Sequence, residues 1–200
     1  TLLNASLVIP YALWDGRVDG LLMLRDEGDA TLEVLLERDF PLVLFFSRSN
    51  DSRVSYVDCD NFMGGKLAAS HLISLGHKRL GAVLGSPNSV DSTDRLHGFR
   101  ASAEAAGLTI TPNNVFYKVG PESPPLEFRK AMNRPDRPTA LFVWSDDVAF
   151  ACMRELKDMG LRIPQDVSIV GFDSTAACDR VDPSLTSVQQ PISQMARRAT

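Results

Sequence analysis

A chain of 200 residues, 44% of them hydrophobic and 23% charged, carries enough apolar side chains to fold unaided as one large or two small domains. Its formal net charge of −4 argues against a surface that grips a nucleic-acid backbone, because that needs clustered basic residues. The apolar start lacks the basic leader and cleavage site of a signal peptide, and no apolar run approaches the roughly 20 residues that span a bilayer. Together with 3 scattered cysteines, an odd number, these features predict a cytoplasmic protein with reduced thiols and no membrane partner.

Short apolar runs alternate along the chain with segments of helical periodicity. The predicted strands are, in order, "VDGLLML", "PLVLFFS", "RLGAVLG", "NVFYKV", "TALFVWS" and "DVSIVGF". The predicted helices are "DATLEVLLERDF", "NFMGGKLAASHLISLG", "DRLHGFRASAEAAGL", "LEFRKAM" and "DDVAFACMRELKDMGL", with Gly76, Gly107 and Gly160 placed to end three of them. Strands that are apolar on both faces and joined by helices predict a doubly wound α/β fold with parallel sheets, divided into two lobes.

Polar side chains follow most of these strands directly. They are Arg25 and Asp26, then Ser47 and Arg48, then Ser86, Pro87 and Asn88, then Ser145, Asp146 and Asp147, and finally Asp173. In such sheets a ligand binds outside the carboxyl ends of the strands. The sequence therefore predicts a small-molecule site built from some of these residues.

Asp173 is the sharpest candidate, because a run as apolar as "SIVGF" leads straight into its carboxylate. In one interpretation it caps the turn that opens at "STAA". In the other it accepts hydrogen bonds from the hydroxyls or amines of a polar ligand, since a buried carboxylate needs donors.

Arg95 is the second candidate. An arginine at a helix start opposes the helix dipole, so it serves either in an ion pair or as a planar fork of donors for ligand oxygens. Ser145 and Asp146 come next, at a helix start where one residue is expected to be the cap and a second is free to face a ligand. Trp144 and Phe172 precede these polar ends, as core residues or as an aromatic wall against a sugar ring.

The sequence shows none of the local enzyme signatures we sought. It has no GxxxxGK[ST] loop, no GxGxxG after a strand and no GxSxG elbow. His71, His77 and His97 lack metal-ligand spacing. We therefore predict no cofactor, no metal and no catalytic residue.

Three segments resemble the lactose-repressor (LacI) family of transcription regulators. They are "YVDCDNFMGGKLAASHLISLGHKRLGAVLG", "RLHGFRASAEAAGL" and "RPTALFVWSDDVAFACMRELKDMGLRIPQDVSIVGFDSTAACDRVDPSLTSVQQPISQMARRA". The motifs occur in the family's order, and the likeness covers roughly residues 16 to 199.

The resemblance implies an effector-binding core of the periplasmic-binding-protein type I fold, with two Rossmann-like lobes, three crossovers and a ligand in the cleft. Arg95 and Asp173 match positions that usually bind the effector, and Asp146 matches a further family aspartate. Ser145 stands where relatives usually have asparagine. Asp60 and Asn61 match the pair that opens a helix, where a ligand or interface role is less defined.

The function implied is a ligand-responsive regulator whose core forms a homodimer and controls operator DNA through a helix-turn-helix headpiece outside this chain. We expect one lobe over residues 1–87 plus 187–200, the other over 88–186, and truncation at both ends. A sugar or sugar derivative is the leading effector, with a nucleobase as second choice. An exported solute-binding protein of the same fold is the alternative function, and an enzyme on a doubly wound sheet a more distant one.

Overall fold

The computed structural model describes residues 15–24, 30–117, 120–122 and 124–200. Its strands are β1 (Leu21–Met23), β2 (Leu42–Phe45), β3 (Ser55–Val57), β4 (Leu80–Val83), β5 (Val115–Phe116), β6 (Ala140–Val143), β7 (Ser168–Asp173) and β8 (Thr186–Gln189). Its helices are α1 (Thr31–Glu37), α2 (Asn61–Ser74), α3 (Val90–Ala105), α4 (Leu126–Met132), α5 (Asp146–Asp158) and α6 (Ile192–Ala199). Arg25 and Asp26, expected after the first strand, lie outside the described residues.

The strands form two sheets in which every pairing is parallel. One has three strands in the order β1-β2-β3, and the other has five in the order β5-β4-β6-β7-β8. The central strands β4 and β6 are buried at all positions, as a sheet covered on both faces requires. The predicted α/β class with parallel sheets flanked by helices is confirmed.

The chain divides into two compact units. The small unit comprises the described residues up to Cys59 together with Pro191–Thr200, and the large unit is Asp60–Gln190. Because β4 pairs with β6 and β8 pairs with β7, both strands belong to the five-stranded sheet. The unit boundaries therefore differ from the predicted lobe boundaries at 87/88 and 186/187.

Helix α5 shows how the sequence pattern builds the core of the large unit. The apolar residues Val148, Cys152 and Leu156, which follow one another at helical spacing, are buried in one cluster with Leu141 of β6. The helix ends where predicted, because Gly160 adopts a φ of 78°, a left-handed conformation that favours glycine.

Helices α2 and α3 cross with their backbones in contact. A Cβ added at Gly65 would lie 1.9 Å from the carbonyl oxygen of Arg95, and one at Gly98 would lie 1.8 Å from that of Phe62. Only glycine permits so close an approach. The two glycines thus fix the distance between the helices that carry Asn61 and Arg95.

Gly98→Ala tests this contact. We expect the free energy of unfolding to fall by about 2 kcal/mol or more, because the methyl group must push the helices apart. Urea denaturation measures the change, with Gly120→Ala as the control, since nothing lies within 4 Å of a Cβ at Gly120. Equal unfolding midpoints for the two variants would show that the helices tolerate separation.

His77 links three neighbouring strands at their amino ends. Its Nδ1 is 3.0 Å from Oγ1 of Thr139, just before β6, and its Nε2 is 3.0 Å from Oγ of Ser168, the first residue of β7. His77 itself lies shortly before β4. Burial lowers the pKa of the imidazole below its ordinary value of 6.5, so the neutral ring is the form that the fold favours.

The sign of the resulting pH dependence follows from linkage. A histidine with a lowered pKa in the folded state contributes its stability above the unfolded pKa of 6.5 and loses it as the pH falls towards the folded pKa. We expect His77→Gln to be less stable at pH 8 and to lose less stability than wild type between pH 7 and pH 5.5. Urea denaturation across this range checks it, and His97→Gln, at an exposed position on α3, should retain the wild-type slope.

Candidate functional site

The candidate site lies in the large unit, at the carboxyl ends of β6 and β7 and beside the first turns of α3. Strands β4, β6 and β7 are direct neighbours, so the residues that follow them meet at one edge of the sheet. This is the edge at which a doubly wound sheet binds ligands.

Arg95 is buried, with 5% of its surface exposed, and is held from several directions. Its Nε donates a hydrogen bond of 2.8 Å to Oδ1 of Asn61, and its Nη1 donates to the carbonyl oxygen of Trp144. The guanidinium carbon lies 3.7 Å from the ring centroid of Phe172, a cation–π contact. Nη2 is 3.8 Å from a carboxylate oxygen of Asp91. These contacts fix the guanidinium in one orientation.

Asp173 is the last residue of β7 and follows Phe172, whose ring contacts the Arg95 guanidinium. Its Oδ1 accepts a hydrogen bond of 2.6 Å from Nε2 of Gln190. Partial burial raises the pKa of the carboxyl above its ordinary 3.8, against the opposing effects of the Gln190 hydrogen bond and the Arg95 charge. Arg95 and Asp173 are thus close enough for the guanidinium charge to act on the carboxylate, and their shared role toward a ligand stays a prediction.

The backbone of Asp173 is strained. Its φ of 117° lies in a region that side chains other than glycine rarely adopt, and Ser174 follows with a φ of 58°. Such conformations persist where the surrounding structure imposes them, and they concentrate at functional sites. The strain supports a functional rather than a merely structural role for Asp173.

Asp146 is held by a network of hydrogen bonds within the protein. It is fully buried, and its carboxylate accepts hydrogen bonds from Oγ of Ser187 at 2.6 Å, the backbone N–H of Thr175 at 2.7 Å and Sγ of Cys178 at 3.1 Å. Burial raises the pKa of the Cys178 thiol to about 11, so the thiol stays protonated and can donate. The carboxylate of Asp146 therefore makes its hydrogen bonds within the protein, and the ligand contact expected from the sequence stays a prediction.

This network also decides what caps the turn after β7. The backbone N–H of Thr175 donates to Asp146, and that of Ser174 donates to Oγ of Ser187. Asp173 is thus not the acceptor for these two amides, but its carboxylate accepts a backbone hydrogen bond from Asp146 at the start of α5, which lowers its pKa. Capping and ligand binding both stay predictions for Asp173.

Ser145 is the N-cap of α5, as one residue of this group was expected to be. Its Oγ accepts a hydrogen bond of 3.5 Å from the backbone N–H of Val148. The hydroxyl is half-buried at the end of β6. A second role toward a ligand stays a prediction for Ser145.

Sequence reasoning missed Gln190 and the contact between Asn61 and Arg95. The sequence does carry a signal for Gln190, because this polar residue directly follows β8. In the structure its buried Oε1 has no hydrogen-bond partner among the described residues. The contact of Asn61 with Arg95 joins residues 34 positions apart and leaves no local pattern. Phe172 is buried, and its ring carries Arg95.

Asp146→Ala tests the structural role of the inward carboxylate. We expect the free energy of unfolding to fall by about 2–4 kcal/mol, because several buried donors lose their acceptor. Urea denaturation measures the loss, and Asp147→Asn, at the exposed neighbouring position, is the matched control. Near-wild-type stability of Asp146→Ala would contradict this structural role and leave the predicted ligand contact as the interpretation of Asp146.

The described residues were also compared with the requirements of a membrane span and of a metal site. None of the helices among them is long and apolar enough to cross a bilayer. Within the same residues, no group of three or more histidine, cysteine or acidic side chains is arranged to hold a metal ion.

Comparison with known proteins places the chain among regulators. Residues 69–200 match the family of periplasmic binding protein-like domains. The repressor PurR of Aliivibrio salmonicida is 31% identical over 192 residues, which are 94% of this chain and 57% of that protein. The regulator CelR of Thermobifida fusca is 33% identical over 184 residues, 90% of this chain and 54% of that protein. The chain thus spans little more than half the length of these relatives, which are named as helix-turn-helix (HTH) type transcriptional regulators and not as enzymes.

Solved structures agree with the sequence relatives. A complex of the regulator CelR with cellobiose superposes with a TM-score of 0.83 at 33% identity, covering 91% of this chain and 57% of that one. A LacI family transcriptional regulator from Mycobacterium smegmatis gives a TM-score of 0.81 at 32% identity, covering 94% of this chain and 70% of that one. The resemblance to the LacI family predicted from the sequence motifs is confirmed.

Proposed function

Because this chain belongs to the family of periplasmic-binding-protein-like domains, in its LacI-type branch of transcription regulators, we propose that it is the effector-binding core of such a regulator. It binds a small polar molecule, a sugar or sugar derivative ahead of a nucleobase, at the site of Arg95 and Asp173. The observation that carries this proposal is the buried Arg95 guanidinium, fixed on the Phe172 ring beside the strained Asp173 carboxylate.

The chemistry of the site suits hydroxyl groups. Asp173 is an acceptor that partial burial has removed from water, and Gln190 adds a buried carbonyl oxygen next to it. A ligand hydroxyl can donate to either oxygen and accept from a guanidinium N–H, because it is both donor and acceptor. A diol along a sugar ring offers such groups at neighbouring positions. The complex of CelR with cellobiose shows that a relative takes a sugar.

The mechanism that we propose is linkage between ligand binding and DNA binding. The ligand prefers one conformation of the core, and that conformation favours or disfavours the operator-bound state of a cytoplasmic homodimer. Operator contacts belong to a helix-turn-helix headpiece of the longer protein, so the acidic core is not an obstacle. The coupling is reciprocal: operator DNA must change the effector affinity by the same factor. The core itself carries no catalytic activity in this scheme.

The first experiment is a thermal-shift screen of the regulator with sugars, sugar acids, polyols, nucleosides and purines. A ligand present at 100 times its dissociation constant stabilises the fold by about 2.7 kcal/mol, which moves the melting temperature by several degrees. A stabilising sugar or nucleoside is the expected result. A well-folded protein that no compound stabilises would contradict a small-molecule effector of these classes.

Asp173→Ala and Asp173→Asn then test the site. We expect both to weaken binding of the compound found in the screen at least about tenfold, because each removes a charged acceptor. The melting temperature without ligand should stay near that of wild type, particularly for Asp173→Asn, whose amide oxygen can still accept from Gln190 and whose side chain tolerates positive φ. Unchanged affinity by calorimetry in both variants would exclude Asp173 from the site.

A further inference from the structure

Asp91 is a second carboxylate beside Arg95 that the sequence analysis did not single out. It lies in the first turn of α3, one helical turn before Arg95, and an oxygen of its carboxylate is 3.8 Å from Nη2 of Arg95. Its other oxygen accepts a hydrogen bond from Oγ of Ser89, the N-cap of the helix. The Asp91 side chain keeps 30% of its surface exposed, whereas that of Arg95 keeps 5%.

Two carboxylates therefore lie near the guanidinium, and a third acts on one of them. Asp91 pairs with it directly, Asp173 lies close enough to feel its charge, and Asp146 acts on Asp173 from within the protein. An arginine that is already paired with a carboxylate is a weakened receptor for a further anion. An anionic ligand group would also lie within a few ångströms of Asp91 and Asp173, where like charges repel strongly in a partly buried site.

A neutral hydroxyl experiences no such repulsion. It can accept from the guanidinium and donate to a carboxylate, so the acidic surroundings favour it. An ammonium group would likewise be attracted. The Asp91 carboxylate consequently discriminates between ligands by charge and not by shape.

We propose that Asp91 is a specificity-determining residue that makes the site select uncharged polyhydroxyl effectors and reject their phosphorylated or carboxylated forms. This inference rests on the proposed function, since it concerns the same site. It adds the chemical class of effector that the site binds and the residue that determines this preference.

Matched pairs of probes test the inference by calorimetry at low ionic strength. The pairs are D-ribose with D-ribose 5-phosphate, D-glucose with D-glucose 6-phosphate and D-gluconate, cellobiose with cellobionate, and adenosine with adenosine monophosphate. In at least one pair the neutral member should bind at least about tenfold more tightly than its anionic partner. Raising the salt concentration should reduce the ratio of the two dissociation constants, that of the anionic probe to that of the neutral probe.

The variant Asp91→Asn should narrow the same ratio by at least about tenfold, chiefly through tighter binding of the anionic member. The matched control is Glu104→Gln, which removes one negative charge from an exposed position in the last turn of the same helix and should leave the ratio as in wild type. Circular dichroism with thermal melting establishes that both variants are folded.

The outcomes separate the two proposals. Equal or tighter binding of the anionic members by wild type, or a ratio that Asp91→Asn does not change, would overturn the role of Asp91 and leave the proposed function standing. Binding of no member of any pair would overturn the proposed function, and the role of Asp91 with it.

Discussion

A buried positive charge is the constraint on which the rest of the site depends. A guanidinium removed from water is tolerated only where acceptors and a polarisable surface replace its hydration. Arg95 obtains them from Asn61 at the start of α2, from the carbonyl group of Trp144 after β6 and from the Phe172 ring in β7. One side chain thus ties α3 to a helix and two strands. The glycine contact between α2 and α3 is the geometric condition for this, because a wider helix separation would carry Asn61 away from the guanidinium.

Two neighbouring carboxylates serve opposite purposes at this edge of the sheet. Asp146 is surrounded by donors and holds the turn after β7 to the start of α5 and to β8. Gly171 makes room for it, since a Cβ there would lie 2.6 Å from its Oδ1. The amides of Ser174 and Thr175 donate to Ser187 and Asp146, so Asp173 is not their acceptor. Asp146 is thus the carboxylate that holds the turn, and Asp173 is the one that we propose to face the ligand.

Much of this arrangement was predictable from local patterns, and the remainder was not for identifiable reasons. The apolar runs predicted β4, β6 and β7, and the stripe on α5 predicted its buried face, because both depend on residues close in sequence. Asp146 and Asp173 each follow an apolar strand, so the sequence signal is the same for a carboxylate directed inward and one directed at a ligand. Only the positions of Thr175, Cys178 and Ser187 separate them. The predicted lobe boundaries differ from the boundaries of the compact units because the pairing of β4 with β6 joins segments far apart in the sequence.

The condition of Asp173 links stability to function. Its carboxyl is partly buried with a raised pKa, and its φ of 117° is unfavourable for a side chain, so both features cost folding free energy at neutral pH. Glycine at the end of β7 would relieve the strain, but it would lose the hydrogen bond that Asp173 accepts from Gln190. A ligand that donates a hydrogen bond to this carboxylate recovers part of that cost only when it binds. In the regulator that we propose, this offset is present only in the bound state, so a few hydrogen bonds at a rigid sheet edge give a preference for the bound conformation.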